Sequence, residues 1–459
     1  MTSLACLLFV SGPGTTGTLL YLLMIAAVPL SIFWKPQIGM YLLVPFMPLQ
    51  TLRYQLQLFP LGEKFVDILL LSTLIGLFLQ NRDSFPPRTR LTRYVGWLAL
   101  FYYVSLWFGS FHLNLALPFL PSNERFADWK NYVEMPLFFL VVTASIQTKR
   151  QMKLLLVLMM VSVLRANLGF YHTVSERDFS HFSYGLRYAG ALGYAGENGL
   201  AAFEAQFLLF CLGIFSAVRE LRFKLLIGAS VLLALYCVLF SFSRGGYIGL
   251  MAGLLFLGLA KERKYLIVFC VILLSWQAFV PAAVQERIMM TYEDGQVDSS
   301  SGERVQLWED ALTIIPQNPI FGTGFDTYKL LGRSDDYTDT HNYYMKVTVE
   351  TGIVGLILFL LLLWKMLRES VRLLRRSHDR FFQGLGLGFG AMMVCVVAVN
   401  LFGDRWMFQQ VTAYMWVALG LVCRAQLIDQ QATDAPAQGL LPCSAAMQLQ
   451  PEVLAECPA

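Results

Sequence analysis

Repeated apolar runs are the feature that most limits what this chain can fold into. About thirteen mainly apolar stretches, many of roughly 17–23 residues, alternate with polar segments between residues 18 and 424. Runs of this length predict membrane-spanning helices, because a helix satisfies its own backbone hydrogen bonds inside a bilayer. Charged residues make up 14% of the chain, against about 25% in soluble domains. We therefore expect an all-α polytopic membrane protein with about 12–13 transmembrane helices.

The predicted spans share this apolar composition and lie at residues 18–33, 38–50, 65–80, 95–111, 131–146, 152–171, 196–218, 223–241, 246–260, 264–280, 344–366, 382–402 and 408–424. The second stretch is short and is flanked by Pro36, Pro45 and Pro48. It is predicted either as a crossing or as a re-entrant segment.

Lysine and arginine clusters predict the orientation of the spans. The clusters lie two spans apart, at residues 82–93, 149–153, 219–224, 261–264 and 368–380. Cytoplasmic loops carry such an excess of positive charge, so the intervening loops are predicted to face outward. These loops are at about 112–130, 172–195, 242–245, 281–343 and 403–407. Because the net charge is only +4 and the basic residues lie in short loops, the charge indicates membrane topology rather than nucleic-acid binding.

Several arginines lie in the loops predicted to face outward, and the preference of positive charge for cytoplasmic loops does not explain them. Ser243-Arg244-Gly245-Gly246 joins two apolar runs with almost no loop, which holds Arg244 at the outer rim. Its guanidinium is predicted to reach lipid headgroups, pair with a carboxylate or bind an anionic ligand. Arg187 and Asn198 bracket a Gly-rich stretch at the start of a span. That stretch is either a flexible loop or a place where helix N–H groups meet an anion.

Arg304 belongs to a predicted amphipathic helix on the outer membrane surface. Ser301 is a candidate cap and Pro316 ends the pattern. The apolar face at helical spacing consists of Leu307, Trp308, Ala311, Leu312 and Ile315. Arg304 lies at the edge of this face, as an interfacial anchor or as a group directed toward the bundle.

His341 is the candidate proton acceptor, because a neutral imidazole at a membrane rim accepts a proton near pH 7. Asp339 and Asn342 are close enough in sequence to orient it. Glu350 lies nine residues on, on roughly the opposite side of a helix, so it is not expected to contact His341. No Walker A motif, HExxH motif or CxxC pair occurs, so the predicted chemistry uses neither a cofactor nor a metal.

Taken together, these residues resemble the O-antigen ligase/polymerase superfamily of bacterial envelope glycosyltransferases. Three features carry the resemblance within residues 180–370. They are Ser243-Arg244-Gly245-Gly246 at a helix start, Arg304 followed by Asn318-Pro319-Ile320-Phe321-Gly322-Thr323-Gly324, and His341-Asn342 followed by Glu350-Thr351-Gly352. The first 180 residues match only in hydropathy. The domain organisation expected from this is N-terminal transmembrane helices at 1–180, a ligase-like core at 181–424 and a flexible cytoplasmic tail at 425–459.

The resemblance implies a GT-C-like helical bundle in the bacterial inner membrane, with its active site facing the periplasm. The donor would be a glycan on undecaprenyl diphosphate. Arg244, Arg304 and Arg187 would hold the donor diphosphate and His341 would be the general base. Asn342, Asn198 and Glu350 would support them.

Several acceptors fit this resemblance. We expect transfer of O-antigen to lipid A–core, in lipopolysaccharide assembly. Polymerisation of O-antigen or exopolysaccharide on a lipid-linked acceptor, and transfer to a protein hydroxyl, are the enzymatic alternatives. A glycan or lipid transporter is the alternative outside the enzymes. Transporters place ionisable groups near the membrane midplane, whereas here these groups are predicted at the outer rim.

Overall fold

The computed structural model describes residues 13–80, 85–87, 89–119, 122–290, 292–293, 296–297, 299–331 and 339–438. Within them the chain forms sixteen α-helices, short 3₁₀ turns and one two-residue antiparallel ladder. The predicted all-α polytopic fold is confirmed. The GT-C-like arrangement of the bundle stays a prediction.

The first half of the helices are α1 (Pro13–Phe33), α2 (Gln37–Phe46), α3 (Gln50–Arg53), α4 (Phe65–Gln80), α5 (Arg90–His112), α6 (Glu124–Ser145), α7 (Lys149–Val174) and α8 (Gly196–Ala217). The second half are α9 (Leu221–Leu239), α10 (Arg244–Ala260), α11 (Lys264–Ser275), α12 (Ala282–Met289), α13 (Ser299–Ile314), α14 (Tyr343–Arg376), α15 (Arg380–Val399) and α16 (Gln409–Gln438). The strands β1 (Tyr292–Glu293) and β2 (Gln296–Val297) pair between α12 and α13.

Eight of the described helices are long and apolar enough to cross a membrane, or nine if the bent pair α11–α12 forms one crossing. That pair bends by 105°. Helices α2, α4, α6 and α10 are shorter or less apolar and do not meet the same criteria. Together with these four helices and α11, the eight long helices account for all thirteen predicted stretches.

Helices α8, α15 and α16 form the centre of the bundle, since 78% of each apolar window is buried, against 28% for α1. Glycines allow the closest contact among them. A Cβ atom on Gly213 of α8 would lie 2.2 Å from the Cα atom of Gly388 on α15. The glycines at 384–390 thus permit close helix packing.

Helix α14 is broken at Gly352, whose φ of +64° suits glycine. The segment 319–324 lies in this break and replaces the missing helical hydrogen bonds. Two of its N–H groups donate to the carbonyls of residues 349 and 350, at 2.9 and 2.7 Å. The N–H groups of residues 353 and 354 donate to its carbonyls, at 2.9 and 3.3 Å. Two motifs that carried the sequence resemblance are thus direct neighbours.

Helix α16 extends well past the predicted tail boundary at residues 424 and 425. It continues to Gln438, and its polar continuation contacts the end of α14. Gln426 donates to the carbonyl of Glu369 at 2.9 Å, and Ser377 donates to Asp429 at 3.2 Å. The beginning of the predicted flexible tail is therefore helical, because these contacts hold it against the bundle. Residues 439–459 lie outside the described residues.

Candidate functional site

Five arginines from five separate segments meet at one cavity at one end of the bundle. The cavity has a volume of about 20 Å³, enough for a water-sized group. Its lining residues are Arg187, Asn198, Ala202, Phe242, Ser243, Arg244, Gly245, Gly246, Arg287, Arg304, Val399, Phe402 and Arg405. The structure thus brings together the three arginines proposed from sequence and adds two more. We call this the arginine cavity.

The N-terminus of α10 forms one wall of the arginine cavity. Ser243 caps the helix, and its Oγ accepts the N–H of Gly246 at 3.4 Å. A Cβ atom on Gly246 would lie 2.6 Å from the Cβ of Ala201, so glycine permits this helix to approach α8 closely. Arg244 donates from Nη1 to the carbonyl of Met290 at 2.7 Å. The first N–H groups of a helix attract anions, and they add to the positive charge of the arginines.

Asn198 joins the Gly-rich loop to the start of α10. Its Oδ1 accepts from Nη2 of Arg187 at 3.0 Å and from the hydroxyl of Ser243 at 2.8 Å. Glu197 lies 3.7 Å from Arg187. Burial lowers the pKa of Arg187, and the Glu197 carboxylate acts in the opposite direction. The sequence placed Asn198 as a supporting residue, and here it positions a cavity arginine.

Helix α13 differs from the predicted amphipathic helix in its start and in its buried face. It begins at Ser299, two residues before the expected cap, and a 3₁₀ turn containing Pro316 follows it. Its buried side chains include Ala311 and Ile314, whereas Leu312 is 60% exposed. Ala311 and Ile314 pack on Tyr328 and Val349, in a small apolar core. The helix is thus held by the protein, and its half-buried Arg304 reaches the arginine cavity.

His341 is half-buried and is held by Asp339. Its backbone has a φ of +51°, and its N–H donates to Oδ1 of Asp339 at 2.7 Å. The imidazole Nδ1 lies 3.1 Å from the same oxygen. Donation of an Nδ1–H to Asp339 places the lone pair of a neutral imidazole on Nε2. The sequence suggested Asp339 as an orienting residue, and the structure brings the two side chains into contact.

Burial lowers the pKa of His341. The positive charges of Arg304 and Arg405 lower this pKa further, whereas Asp339 and Glu303 oppose the shift. Both arginines line the cavity, so the imidazole lies within electrostatic reach of it. A pKa below the usual range keeps the ring neutral near pH 7, which is the form that accepts a proton.

Asn342 does not orient His341. Its side-chain oxygen caps α14 by accepting the N–H groups of Tyr344 and Met345, at 3.1 and 3.3 Å. The loop before the cap is held instead by Trp308 of α13, whose indole donates to the carbonyl of Thr340 at 3.1 Å. Because Arg304 lies one helical turn before Trp308, this contact brings Arg304 toward His341.

Glu350 contacts the segment 319–328 rather than His341. Its side chain is 5% exposed, and its Oε1 accepts the N–H of Tyr328 at 3.2 Å. Its carbonyl accepts the N–H of Gly324. Glu350 therefore helps dock the segment 319–328 onto α14, in agreement with the expectation that it does not contact His341.

Sequence reasoning missed Arg287 and Arg405. Arg287 is 3% exposed and stacks on the rings of Phe182 and Tyr184, at 5.0 and 5.4 Å. Arg405 is 8% exposed. Burial lowers the pKa of Arg405, and the carboxylates of Asp339 and Asp404 oppose this shift. Both arginines fall in loops predicted to face outward, so the argument used for the other three already applied to them.

Part of this site lies in a region of the chain that matches a known protein family. Residues 229–360 match a family model described as O-Antigen ligase. The sequence resemblance to the O-antigen ligase/polymerase superfamily is thereby confirmed. The matched stretch contains Arg244, Arg287, Arg304 and His341, whereas Arg187 and Arg405 lie outside it. The match supports glycan ligation or polymerisation in general.

Two relatives match over part of their lengths. An uncharacterized protein of Haemophilus influenzae is 29% identical over an alignment of 161 residues, with coverage of 29% of this chain and 40% of that protein. A Rickettsia conorii protein, provisionally named a polysaccharide ligase, is 24% identical over an alignment of 131 residues, with coverage of 26% of this chain and 30% of that protein. The chain thus spans less than half the length of each relative.

Proposed function

We propose that this protein transfers a preassembled glycan from undecaprenyl diphosphate to an acceptor hydroxyl at the periplasmic face of the bacterial inner membrane, with ligation of O-antigen to lipid A–core as its reaction. One observation carries this proposal. Five guanidinium groups line a single cavity, and two of them, Arg304 and Arg405, act electrostatically on His341, which is paired with Asp339.

The arginine cavity suits a diphosphate in charge and in geometry. Guanidinium groups bind phosphate oxygens through paired hydrogen bonds, and they do so without a metal. The N-terminus of α10 adds aligned N–H groups on the same wall. A cavity of about 20 Å³ is smaller than a diphosphate. Donor binding is therefore expected to move arginine side chains, as is common at interfaces and binding sites.

The proposed chemistry needs one base and one stabilised leaving group. His341 takes the proton from the acceptor hydroxyl, whose oxygen then attacks the anomeric carbon of the donor. The bond between that carbon and the diphosphate oxygen breaks, and its electron pair leaves with undecaprenyl diphosphate. The arginines stabilise the charge that develops on the leaving group. Attack from the face opposite the leaving group inverts the anomeric configuration.

Ligation is preferred over polymerisation because of the descriptions of the matches. The family model is described as O-Antigen ligase and the Rickettsia conorii relative carries a polysaccharide-ligase name. A transporter is less compatible with this site. Transporters bind their substrates near the membrane midplane, whereas the charged groups of this protein meet at one end of the bundle.

The test compares His341→Ala with His181→Ala in a strain that lacks the wild-type protein. His181 is a matched control, because it also contacts a carboxylate, Glu286 at 2.9 Å, yet is 85% exposed. We expect His341→Ala to leave lipid A–core uncapped, and His181→Ala to restore capping. Lipopolysaccharide gels and in vitro transfer from undecaprenyl-diphosphate-linked glycan measure the result. Normal capping by His341→Ala at the normal protein level would refute the role of this residue.

The same deletion strain separates ligation from polymerisation. Long lipid-linked polymer together with uncapped lipid A–core is the expected result for a ligase. Lipid A–core that carries single repeat units would instead identify a polymerase.

A further inference from the structure

A groove between α7 and α9 lies at the end of the bundle opposite the arginine cavity. The two helices begin at this groove, which has a volume of about 580 Å³. At its other end, α7 reaches the loop that contains Arg187, because Phe170 stacks on Tyr188 with ring centroids 5.6 Å apart. Helix α9 ends at Leu239, five residues before Arg244 of the arginine cavity. We call this second site the α7–α9 groove.

The walls of the α7–α9 groove are apolar. Leu154 and Val157 line it from α7, and Phe223 and Leu226 line it from α9. The members of each pair are three residues apart, so they share one face of their helix. Both helices are long and apolar enough to cross a membrane, and only 33% of the apolar window of α9 is buried. Helix α9 thus lies at the periphery of the bundle, where lipid chains reach the groove.

Four charged side chains line the same groove. Lys153 and Glu220 form an ion pair at 2.5 Å and cancel each other. Arg150 and Arg222 are exposed, and neither has a hydrogen bond or ion pair among the described residues. With one neutral pair and two further cations, the groove carries a net charge of +2. Arg150 and Arg222 belong to two of the basic clusters that predict cytoplasmic loops, but that preference does not require the clusters to meet above an apolar groove.

The start of α9 adds backbone donors at this rim. Glu220 precedes the helix and, in the described part of the chain, makes no side-chain hydrogen bond to it, since its carboxylate binds Lys153. The start of α7 is capped instead by Thr148, which accepts the N–H of Gln151 at 3.2 Å. The first N–H groups of a helix attract phosphate when no side chain caps them. Arg222 is the second residue of α9, so its guanidinium and these N–H groups lie at the same rim.

We propose that the α7–α9 groove binds an anionic phospholipid, with the lipid phosphate between Arg150 and Arg222 and an acyl chain along the apolar walls. Charge complementarity favours an anionic lipid over a zwitterionic one, because the groove carries two positive charges that Glu220 does not neutralise. The walls favour a lipid over a soluble phosphate, which would leave the four apolar side chains uncovered. This site is separate from the arginine cavity, and its occupation does not depend on glycan transfer.

The test titrates the full-length detergent-solubilised protein with phosphatidylglycerol or with phosphatidylcholine of the same acyl chains. Native mass spectrometry measures the bound lipid, and thermal unfolding measures the stabilisation. We expect phosphatidylglycerol to bind more tightly and to raise the unfolding midpoint more. Arg150→Gln combined with Arg222→Gln should raise the Kd for phosphatidylglycerol about 30-fold, which is about fivefold for each arginine. The Kd for phosphatidylcholine should not change.

Arg263→Gln combined with Arg376→Gln is the matched control, because it removes the same charge. Both residues are exposed and lie at the same end of the bundle, outside the lining of the α7–α9 groove. This variant should bind phosphatidylglycerol as the wild type does. An equal loss in the two double variants would overturn the proposal, since it would reveal a general effect of net charge.

Two outcomes in the wild-type protein would also overturn the proposal, and they need no variant. The first is equal affinity for phosphatidylglycerol and phosphatidylcholine, which would show that the arginines do not select the headgroup. The second comes from a titration with glycerol 1-phosphate. If this soluble anion binds as tightly as phosphatidylglycerol, the groove takes a free phosphate and the apolar walls contribute nothing.

Discussion

Replacement of Gly322 by alanine tests whether the segment 319–324 must dock into the break of α14. Gly322 has a φ of +68°, and an added Cβ would lie 2.4 Å from the carbonyl carbon of Glu350. It would also lie 2.5 Å from the carbonyl oxygen of Val349. Ordinary van der Waals contact begins at 3.4 Å. The backbone would therefore have to move by about 1 Å, because well-packed interiors do not absorb added atoms without strain.

The expected cost follows from the conformation and from two hydrogen bonds. A left-handed backbone costs a residue with a side chain about 1–2 kcal/mol. The bonds from the N–H groups of Thr323 and Gly324 to α14 measure 2.9 and 2.7 Å, and each contributes about 1 kcal/mol. We therefore expect Gly322→Ala to destabilise docking of this segment by about 3–4 kcal/mol. The effect is local, because single segments can open without global unfolding.

Thermal unfolding of the detergent-solubilised protein and in vitro glycan transfer both measure this prediction. Gly322→Ala should lower the unfolding midpoint and reduce transfer, since the loosened segment lies between Arg304 and His341 in the chain. Gly302→Ala is the control, because a Cβ at Gly302 meets nothing within 4 Å. It should be neutral, or stabilise α13 by up to about 1 kcal/mol. A wild-type midpoint together with wild-type transfer in Gly322→Ala would refute the reasoning.

Three further predictions concern the site itself. A base must be unprotonated to act, so the loss of activity toward low pH should have its midpoint below the usual pKa of histidine. Asp339→Asn should move this midpoint to lower pH, because the carboxylate raises the pKa of His341. Arg304→Gln should move the midpoint to higher pH, because the guanidinium lowers that pKa. Measurements of kcat against pH at saturating donor check both directions, and identical profiles would contradict the assignment. Arg405→Gln should lower kcat about 100-fold, as expected when one preorganised group that stabilises developing charge is lost; single-turnover transfer at the wild-type rate would remove this residue from the proposed mechanism. Asn198→Ala should raise the KM for the donor about tenfold with little change in kcat, and an unchanged donor titration would show that its bridge is not needed.

Local pattern was sufficient to predict the helices, although eight of the described helices, or nine with the bent pair, meet the criteria for a membrane crossing where about 12–13 were expected. Each of the thirteen apolar stretches contains a helix, because the length of an apolar run and the backbone hydrogen bonds within it are properties of neighbouring residues. The same reasoning placed Arg187, Arg244 and Arg304 in loops on one side, and these three line one cavity. Helical periodicity was less reliable for α13. It included Leu312, which is exposed, and omitted Ile314, which is buried, because the surface covered by this helix is a loop distant in sequence.

What the sequence determined by itself was the membrane class, the helices and the side of the bundle on which the charged loops meet. The tertiary structure alone decided that Arg287 and Arg405 join the arginine cavity, that Asp339 rather than Asn342 holds His341, and that the segment 319–324 fills the break at Gly352. The physical reason is the range of the interactions. Helix formation depends on residues a few positions apart, whereas a cavity lined by five segments depends on how distant helices pack.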